Sequence, residues 1–432
     1  MKGDRWRPPM RQGHTLEELI FWHVFDRQHC QRDELSVRFG LSRAAISKAV
    51  ALLLEKGLVA ESAAGAVSPG RRPQPLEVDP KLANLLGLEI DLDRVTAVVT
   101  DMSGVLLGRG AVSCDAQQGV EAVLRASQGA VCQALADARA PRQEIKHLGV
   151  GHPGDLDLDR GVCVSWANAP AWKNTPIRNR LQQTFRIDVT IEDHSRALAL
   201  AERRTSPQDG RHPNAIYILA GTGVGMGIFL DGRLFHGASR GGGEIGHTVI
   251  DPAGPACQCG NRGCVEAFAS TGAILRYVRE SLPGGGSAID DLAPRGSSEI
   301  TIEMVAAAAN RGDRIALAAI ERAATALGLG VANAVQILNP SLVVLHGRLA
   351  RVAGEHLVQT VSRVVHKRCV ETASRGLEIR VATPKKDISA VGCALLAAEA
   401  EAQRIVRERL PAEAAELSGR RSASPGRSPS RR

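Results

Sequence analysis

The 432-residue sequence predicts an α/β protein with an N-terminal winged helix-turn-helix and a structural metal loop, and three observations carry that prediction. From residue 85 onward, β-rich runs alternate with helical stretches and end in glycine, the pattern of sheets that place ligand loops at the carboxyl ends of their strands. Between about 15 and 80 the apolar spacing is helical and gives way to a Gly/Pro-rich hairpin signal. Cys257, Cys259 and Cys264 follow His247 within eighteen residues, separated by glycines that let the backbone fold around one ion.

Residues 1–14 read as a disordered N-terminus and 15–80 as the DNA-binding domain. LEELIFWHVFD (16–26) has apolar residues at helical spacing, Arg32 to Phe39 repeats the pattern and Gly40 breaks it. Ser42 then caps a third helix with Ile46, Val50, Leu53 and Leu54 on one face. A plain helical hairpin fits this spacing too, and KGLVAESAAGAVSPGRRPQPLEV (56–78) is what favours a winged helix-turn-helix, as strand, excursion and second strand. The expected DNA-facing set is Ser42, Arg43, Ala44, Ser47 and Lys48 at the start of the third helix. Arg71 and Arg72 join it from the tip Gly70-Arg71-Arg72-Pro73, suited to a narrow A·T-rich minor groove.

LLGLEIDLDRVTAVVTDMSGVLLGRGAV (85–112) predicts two or three antiparallel strands, followed by an Ala-rich helix over about 119–138. Buried strands return at 145–157, 189–194, 214–230 and 342–347, and 283–299 reads as a loop insertion between helices. Residues 406–432 read as an Arg/Ser/Pro-rich tail, disordered from about 418, because SGRRSASPGRSPSRR has no apolar residue larger than alanine to bury.

A formal charge of +8 suggests nucleic acid, yet residues 418–432 supply five arginines without an acid. Residues 1–79 carry twelve basic against ten acidic side chains, so the case for DNA rests on pattern rather than charge. No apolar run approaches the roughly 20 residues of a membrane span, and no secretory signal precedes the cysteines, which points to a cytoplasmic protein with free thiols. Three thiolates and one imidazole close a tetrahedron, so the expected cofactor is a structural Zn2+ held by His247, Cys257, Cys259 and Cys264, with no open position for a catalytic water.

GHPGDLD (151–157), WANAPAW (166–172), LAGTGVGMGI (219–228) and the GEIGH plus Cys-rich block (243–270) together closely resemble the ROK family of repressors, open reading frames and sugar kinases. The resemblance covers roughly 85–400 and implies a two-lobed actin-like ATPase fold over 81–405. It puts lobe 1 at about 85–200 plus 386–405 and lobe 2 at about 201–385. A winged helix-turn-helix ahead of that domain is the arrangement of the family's transcriptional repressors, including the xylose and N-acetylglucosamine types. The resemblance implies a sugar site at Asn168, His194, Glu244, His247 and Glu266, with the metal loop fixing the carboxylates and Gly151 to Gly154 admitting backbone to the ring.

The family's kinases use a first phosphate loop, Asp-x-Gly-Gly-Thr-Lys; the equivalent here is Asp91-Leu92-Asp93-Arg94, with bulk where glycine is required and an extra carboxylate that repels phosphate. Their catalytic base follows Glu-Asn; in IEDHSRALALAE (191–202) Glu192 and Glu202 set the register, Asp193 replaces the asparagine and His194 stands at the base. An imidazole can accept a proton or simply hydrogen-bond the sugar, and a one-residue slip would give the role to Asp193. His346 replaces the first of the paired glycines at the nucleotide motif, while Gly221-Thr222-Gly223 keeps the second phosphate loop. These departures predict a sugar-responsive regulator, most readily a repressor, with no catalytic residue. Its partners are operator DNA, a sugar effector and a second copy of the chain, as homodimer or dimer of dimers. The alternative is a sugar kinase with a fused DNA-binding domain.

Overall fold

Thr15 and Glu18 open the first helix reciprocally: the Glu18 N–H donates to Thr15 Oγ1 (3.3 Å) and the Thr15 N–H to Glu18 Oε2 (3.1 Å). The structure is a computed structural model that describes residues 15–27, 30–62, 74–282, 287–292 and 300–410. Residues 1–14, the tip at Arg71 and Arg72, and the tail from 411 lie outside the described residues. The chain divides into one unit of Met1–Asn84, Asp101–Ser103 and Ala398–Arg432, and another of Leu85–Thr100 and Gly104–Ala397.

The first unit contains α1 (Leu16–Arg27), α2 (Arg32–Phe39) and α3 (Arg43–Glu55), followed by the antiparallel pair β1 (Val59–Glu61) and β2 (Leu76–Val78). Gly40 ends α2 at φ 66°, the left-handed conformation that glycine adopts without penalty. Ser42 caps α3, accepting from the Ala45 N–H at 3.3 Å. Ile20, Phe21, Val24, Leu35, Ile46, Val50, Leu53 and Leu76 are buried, so the apolar stripes meet in one core; Leu54 is only half-buried. The Arg409 guanidinium, from the end of the last helix, donates to the carbonyls of Lys56 (2.9 Å) and Gly57 (3.1 Å). That helix therefore runs past residue 405, where the tail was expected to begin.

The second unit holds two five-stranded mixed sheets of matching plan. Its first sheet comprises β3 (Leu85–Ile90), β4 (Arg94–Thr100), β5 (Leu106–Ser113), then β6 (His147–His152) and, beyond the small hairpin β7 (Asp155–Asp157) and β8 (Val162–Ser165), β9 (Asp188–Asp193). The order is β5-β4-β3-β6-β9, with β5, β4 and β3 antiparallel and β3, β6 and β9 parallel. Helices α4 (Val120–Ala138) and α5 (Ile177–Phe185) supply the crossovers, and α6 (His194–Thr205) leads from β9 to the second sheet.

The second sheet repeats the plan as β12-β11-β10-β13-β14, from β10 (Ala215–Ala220), β11 (Val224–Leu230), β12 (Arg233–Leu234), β13 (Leu342–His346) and β14 (Glu378–Val381). Between β12 and β13 come α7 (Glu266–Ala269), α8 (Thr271–Ser281), α9 (Ala288–Leu292), α10 (Ile302–Asn310) and α11 (Arg314–Leu338). Helix α12 (Arg348–Arg368), broken at Gly354, and α13 (Glu371–Ser374) precede β14, and α14 (Ile388–Arg409) ends the described chain.

Two expectations are corrected here. The 283–299 segment is not loop throughout: α9 lies inside it because Ile289 is fully buried and Asp313 Oδ2 accepts from Ser287 Oγ and the Ala288 N–H at 2.8 Å each. One helix among the described residues, α11, is long and apolar enough to cross a membrane, and 61% of that apolar window is buried. Its small Ala, Gly and Val residues pack against α12, α7 and α8, in the apolar core that also takes in the second sheet, as a core helix does.

Helix α14 seats tightly between the first sheet and α6. A Cβ on Gly149 would stand 1.7 Å from the Cys393 carbonyl oxygen, and one on Gly392 1.9 Å from that of Ala197. Side chains at either position would separate helix from strand, and close packing leaves no room for that shift.

Candidate sugar cleft and metal loop

The metal loop is built by its turns. Gly263 has φ 69°, and a Cβ there would lie 1.5 Å from the Asp251 carbonyl oxygen, so only glycine permits the chain to return beneath Cys264. The Ile250 N–H donates to Gly263 O (2.9 Å) and the Cys257 N–H to Asn261 O (2.8 Å), closing the loop on itself. His247, Cys257, Cys259 and Cys264 thereby bring one ligand atom each within 4.8 Å of one another. Cys257 Sγ is 3.8 Å from His247 Nδ1 and Cys259 Sγ is 3.7 Å from Cys264 Sγ. Ligands 2.0–2.3 Å from a zinc ion at the corners of a tetrahedron stand about 3.5–3.8 Å apart, so the donor set fits such an ion. Nδ1 faces the cluster, which leaves Nε2 of His247 for another partner.

Asn168, in the turn after β8, and Glu266, the first residue of α7, line one cavity of about 420 Å³ together with Thr222. Glu266 Oε2 accepts from the Val224 N–H (2.8 Å), which ties the residue after the metal loop to the glycine turn before β11. Glu244 sits beside the negative charges of Asp193 and Asp155. Glu244 itself lines neither of the two cavities described, and burial, then repulsion by Asp193, raises its carboxyl above the usual range.

His194 is not brought to the Asn168 cavity. It begins α6 and lines an adjoining cleft of about 460 Å³ with Glu89 and Asp91, and Thr222 is common to the two. Asp193 is the cap of that helix: its Oδ1 accepts from the N–H groups of Ser195 (2.9 Å) and Arg196 (3.2 Å) and from Ser195 Oγ. The glycines at 151 and 154 are required by packing. A Cβ on Gly151 would meet Cys393 Sγ at 2.6 Å and one on Gly154 the Ser165 carbonyl oxygen at 2.8 Å.

Two features escape a reading of the sequence. His152 is fully buried with ring centroids of Trp166 and Trp172 both at 5.0 Å, and neither of its ring nitrogens has a hydrogen-bond partner. Burial pushes its pKa down to about 3, so the ring is neutral, an aromatic wedge supporting the turn that carries Asn168. The second is an ion cluster under the Glu244 loop. Glu192 pairs with Arg196 (2.7 Å) and His236 (2.8 Å), while Arg196 Nη1 donates to Gly242 O (2.6 Å). The Glu192/Arg196 spacing of four on consecutive elements was the available signal; the His236 partner, forty-four residues away, had none.

The turn after β3 presents carboxylates to the glycine loop. Asp91 Oδ1 accepts from the Leu92 N–H (2.7 Å) and from Thr222 Oγ1 (3.5 Å), and Asp93 faces Arg348 at 3.5 Å. At the end of β13, His346 is 7% exposed and 3.8 Å from Glu202 Oε2.

The ROK family pattern matches residues 85–400, most of the chain. The chain belongs to the ROK family. Among its relatives, the xylose repressor of Caldicellulosiruptor bescii is 29% identical over 377 residues, covering 87% of this chain and 93% of that protein. A glucokinase of Thermotoga maritima is 31% identical over 278 residues, covering 64% of this chain and 85% of the enzyme. The solved structure of a ROK family transcriptional regulator, a homologue of the Escherichia coli MLC protein, superposes with a TM-score of 0.71 at 24% identity, covering 91% of this chain and 98% of that one. This likeness is one of fold, and it includes the actin-like arrangement of paired mixed sheets.

Proposed function

We propose that this ROK protein is a sugar-responsive, DNA-binding transcriptional repressor whose kinase-like domain no longer transfers phosphate. The observation that carries the reading is the exposed, capped helix α3 on the same chain as a ROK domain whose first phosphate turn has Asp93 and Arg94 in place of the kinases' glycines. Similarity to the xylose repressor spans 377 residues, more than the family domain contains, whereas the glucokinase similarity spans 278.

Helix α3 with the β1/β2 pair forms a winged helix-turn-helix, with residues 15–80 as the reading head and 81–405 as the sugar domain. Ser42, Arg43, Ala44, Ser47 and Lys48 are all exposed on α3 while Ile46, Ala49 and Val50 face the core, which suits insertion into a major groove. Arg43 pairs on the surface with Asp33 at 3.1 Å, a contact DNA phosphate or base can displace at little cost. Two such heads in a homodimer read half-sites about one helical turn apart. Sugar held by Asn168, Glu244, the Nε2 edge of His247 and Glu266, with zinc fixing the loop, favours one state of the dimer over another and so changes operator affinity.

DNA enriched from a random library by the purified protein is expected to contain paired, inverted half-sites. Arg43→Ala and Lys48→Ala are each expected to weaken operator binding by about tenfold or more, about 1–3 kcal/mol for a base-contacting residue. Unchanged binding in both variants would remove α3 as the reading helix. In a thermal-shift series over hexoses, pentoses and amino sugars, one sugar is expected to raise the melting temperature, and Asn168→Ala to remove the rise. The kinase reading keeps one supporting observation, the intact Gly221–Gly223 turn. Robust ATP-dependent phosphorylation of any sugar in the same panel would establish it and sink the loss of transfer proposed here.

A further inference from the structure

The cavity of about 420 Å³ that holds Asn168 and Glu266 is also lined by Arg276, Arg279 and Glu280 of α8, and a neutral sugar gives those charges nothing to do. Both arginines are exposed, and no carboxylate pairs with either among the described residues. Exposed cations are ordinary on a protein surface and by themselves point to no ligand. Arg276 differs in being fixed: its Nη2 donates at 3.0 Å to the carbonyl of Ala267, the residue after Glu266. Glu266 is itself tied to the Val224 N–H at 2.8 Å. Main-chain contacts therefore hold a cation and a carboxylate at set places on one wall. The other N–H groups of the Arg276 guanidinium have no acceptor among the described residues, and a fork already held in place loses little freedom when a carboxylate meets it.

Arg279 lies three residues further along α8, so the two arginines are neighbours on one helix face. Against them stand Glu266, Glu280 and Cys257, a ligand of the metal loop that lines the same cavity. That balance accommodates a ligand with a single negative charge and disfavours a phosphate dianion, which meets as many acidic groups as basic ones. The volume lies in the range that encloses a drug-sized molecule, so a pyranose ring and a charged substituent both fit.

We infer, resting on the sugar site proposed for this cavity, that its ligand is a sugar of the uronic acid class. The ring hydroxyls meet Asn168 and Glu266, and the carboxylate pairs with Arg276 and Arg279, which select the acid over the neutral sugar.

Calorimetric titrations of the full chain test this by comparing glucuronate, galacturonate and mannuronate with glucose, galactose and mannose, ring for ring, and with glucose 6-phosphate. The proteins are the wild type, Arg279→Gln, Arg276→Gln/Arg279→Gln and Glu280→Gln. At least one uronate is expected to bind about tenfold or more tightly than its hexose, the gain typical of a hydrogen-bonded charge pair. That preference is expected to fall in Arg279→Gln, to vanish in the double variant, to rise in Glu280→Gln and to shrink as salt is added. Glutamine keeps an N–H donor for the Ala267 carbonyl, and the melting temperature without ligand checks that each variant is folded. Should the double variant unfold, Arg279→Gln decides alone, since the Arg279 side chain has no partner among the described residues to lose. Three results overturn the inference while the sugar reading stands: uronates no tighter than their hexoses, a preference unchanged in the arginine variants, or glucose 6-phosphate bound more tightly than glucuronate and weakened by the double variant. No binding by any of these sugars, acidic or neutral, removes the sugar reading and the uronate ligand together.

Discussion

Glu192→Ala is expected to destabilise the ROK domain by about 3–5 kcal/mol, because it leaves a buried guanidinium without its counter-ion. Glu192 and Arg196 have side chains only 4% and 3% exposed, so water screens neither charge. The surface pair Arg375 and Glu371, exposed at 69% and 85%, shares the four-residue spacing and is expected to contribute almost nothing. Burial raises the Glu192 carboxyl, but the His236 hydrogen bond and the Arg196 charge outweigh it and hold the group below the usual carboxylate range. Its contribution is therefore fully present above the unfolded-state value of about 4.3 and lost as pH falls through the lower folded-state value. Urea unfolding at neutral and acidic pH measures both effects. A Glu192→Ala midpoint equal to wild type at neutral pH would show that the cluster relaxes into water. Since Arg196 also holds the Gly242 carbonyl, this variant is expected to lose the sugar response through the displaced Glu244 loop.

Cys264→Ser, or removal of metal with a strong chelator, is expected to abolish the response to sugar while operator binding persists. Cys264 is fully buried, and its loop runs directly into Glu266, whose carboxylate holds the Val224 N–H. Without an ion, three thiols and an imidazole have no common partner, and the loop loses what fixes Glu244 and Glu266 on either side of it. Displacing groups that support a site costs about 10–100-fold in affinity, and a larger effect is expected when the central ion goes. The measurements are metal content, expected at one zinc per chain, and sugar and operator titrations on the same sample. Metal-free protein that responds normally to sugar would detach the metal loop from the effector site. Simultaneous loss of DNA binding would show that the loop supports more than the cleft.

The parts of the site legible from the sequence are those encoded by short spacing. The metal ligands fall within eighteen residues with glycines between them, and a loop that short can fold around one point in few ways. Ser42 and the α3 stripe follow from helical period, and all of the α3 residues proposed to face DNA are exposed as that period requires. Family resemblance supplied the sugar set, and His194 and Asn168 line adjoining cavities that share Thr222. The glycines at 151 and 154 were legible as obligatory; their reason, contact with Cys393 and Ser165, was not.

Local pattern therefore specified by itself the α/β class, the three N-terminal helices and the gathering of His247 with Cys257, Cys259 and Cys264, because each depends on residues close along the chain. Tertiary structure alone decided that Asp91 meets Thr222, that Glu192 draws in His236, and that His152 packs against two tryptophans that also touch each other. These contacts join residues from separate strands and loops, and single-residue propensities carry no information about such distant partners. They arise only once close packing has settled which surfaces meet.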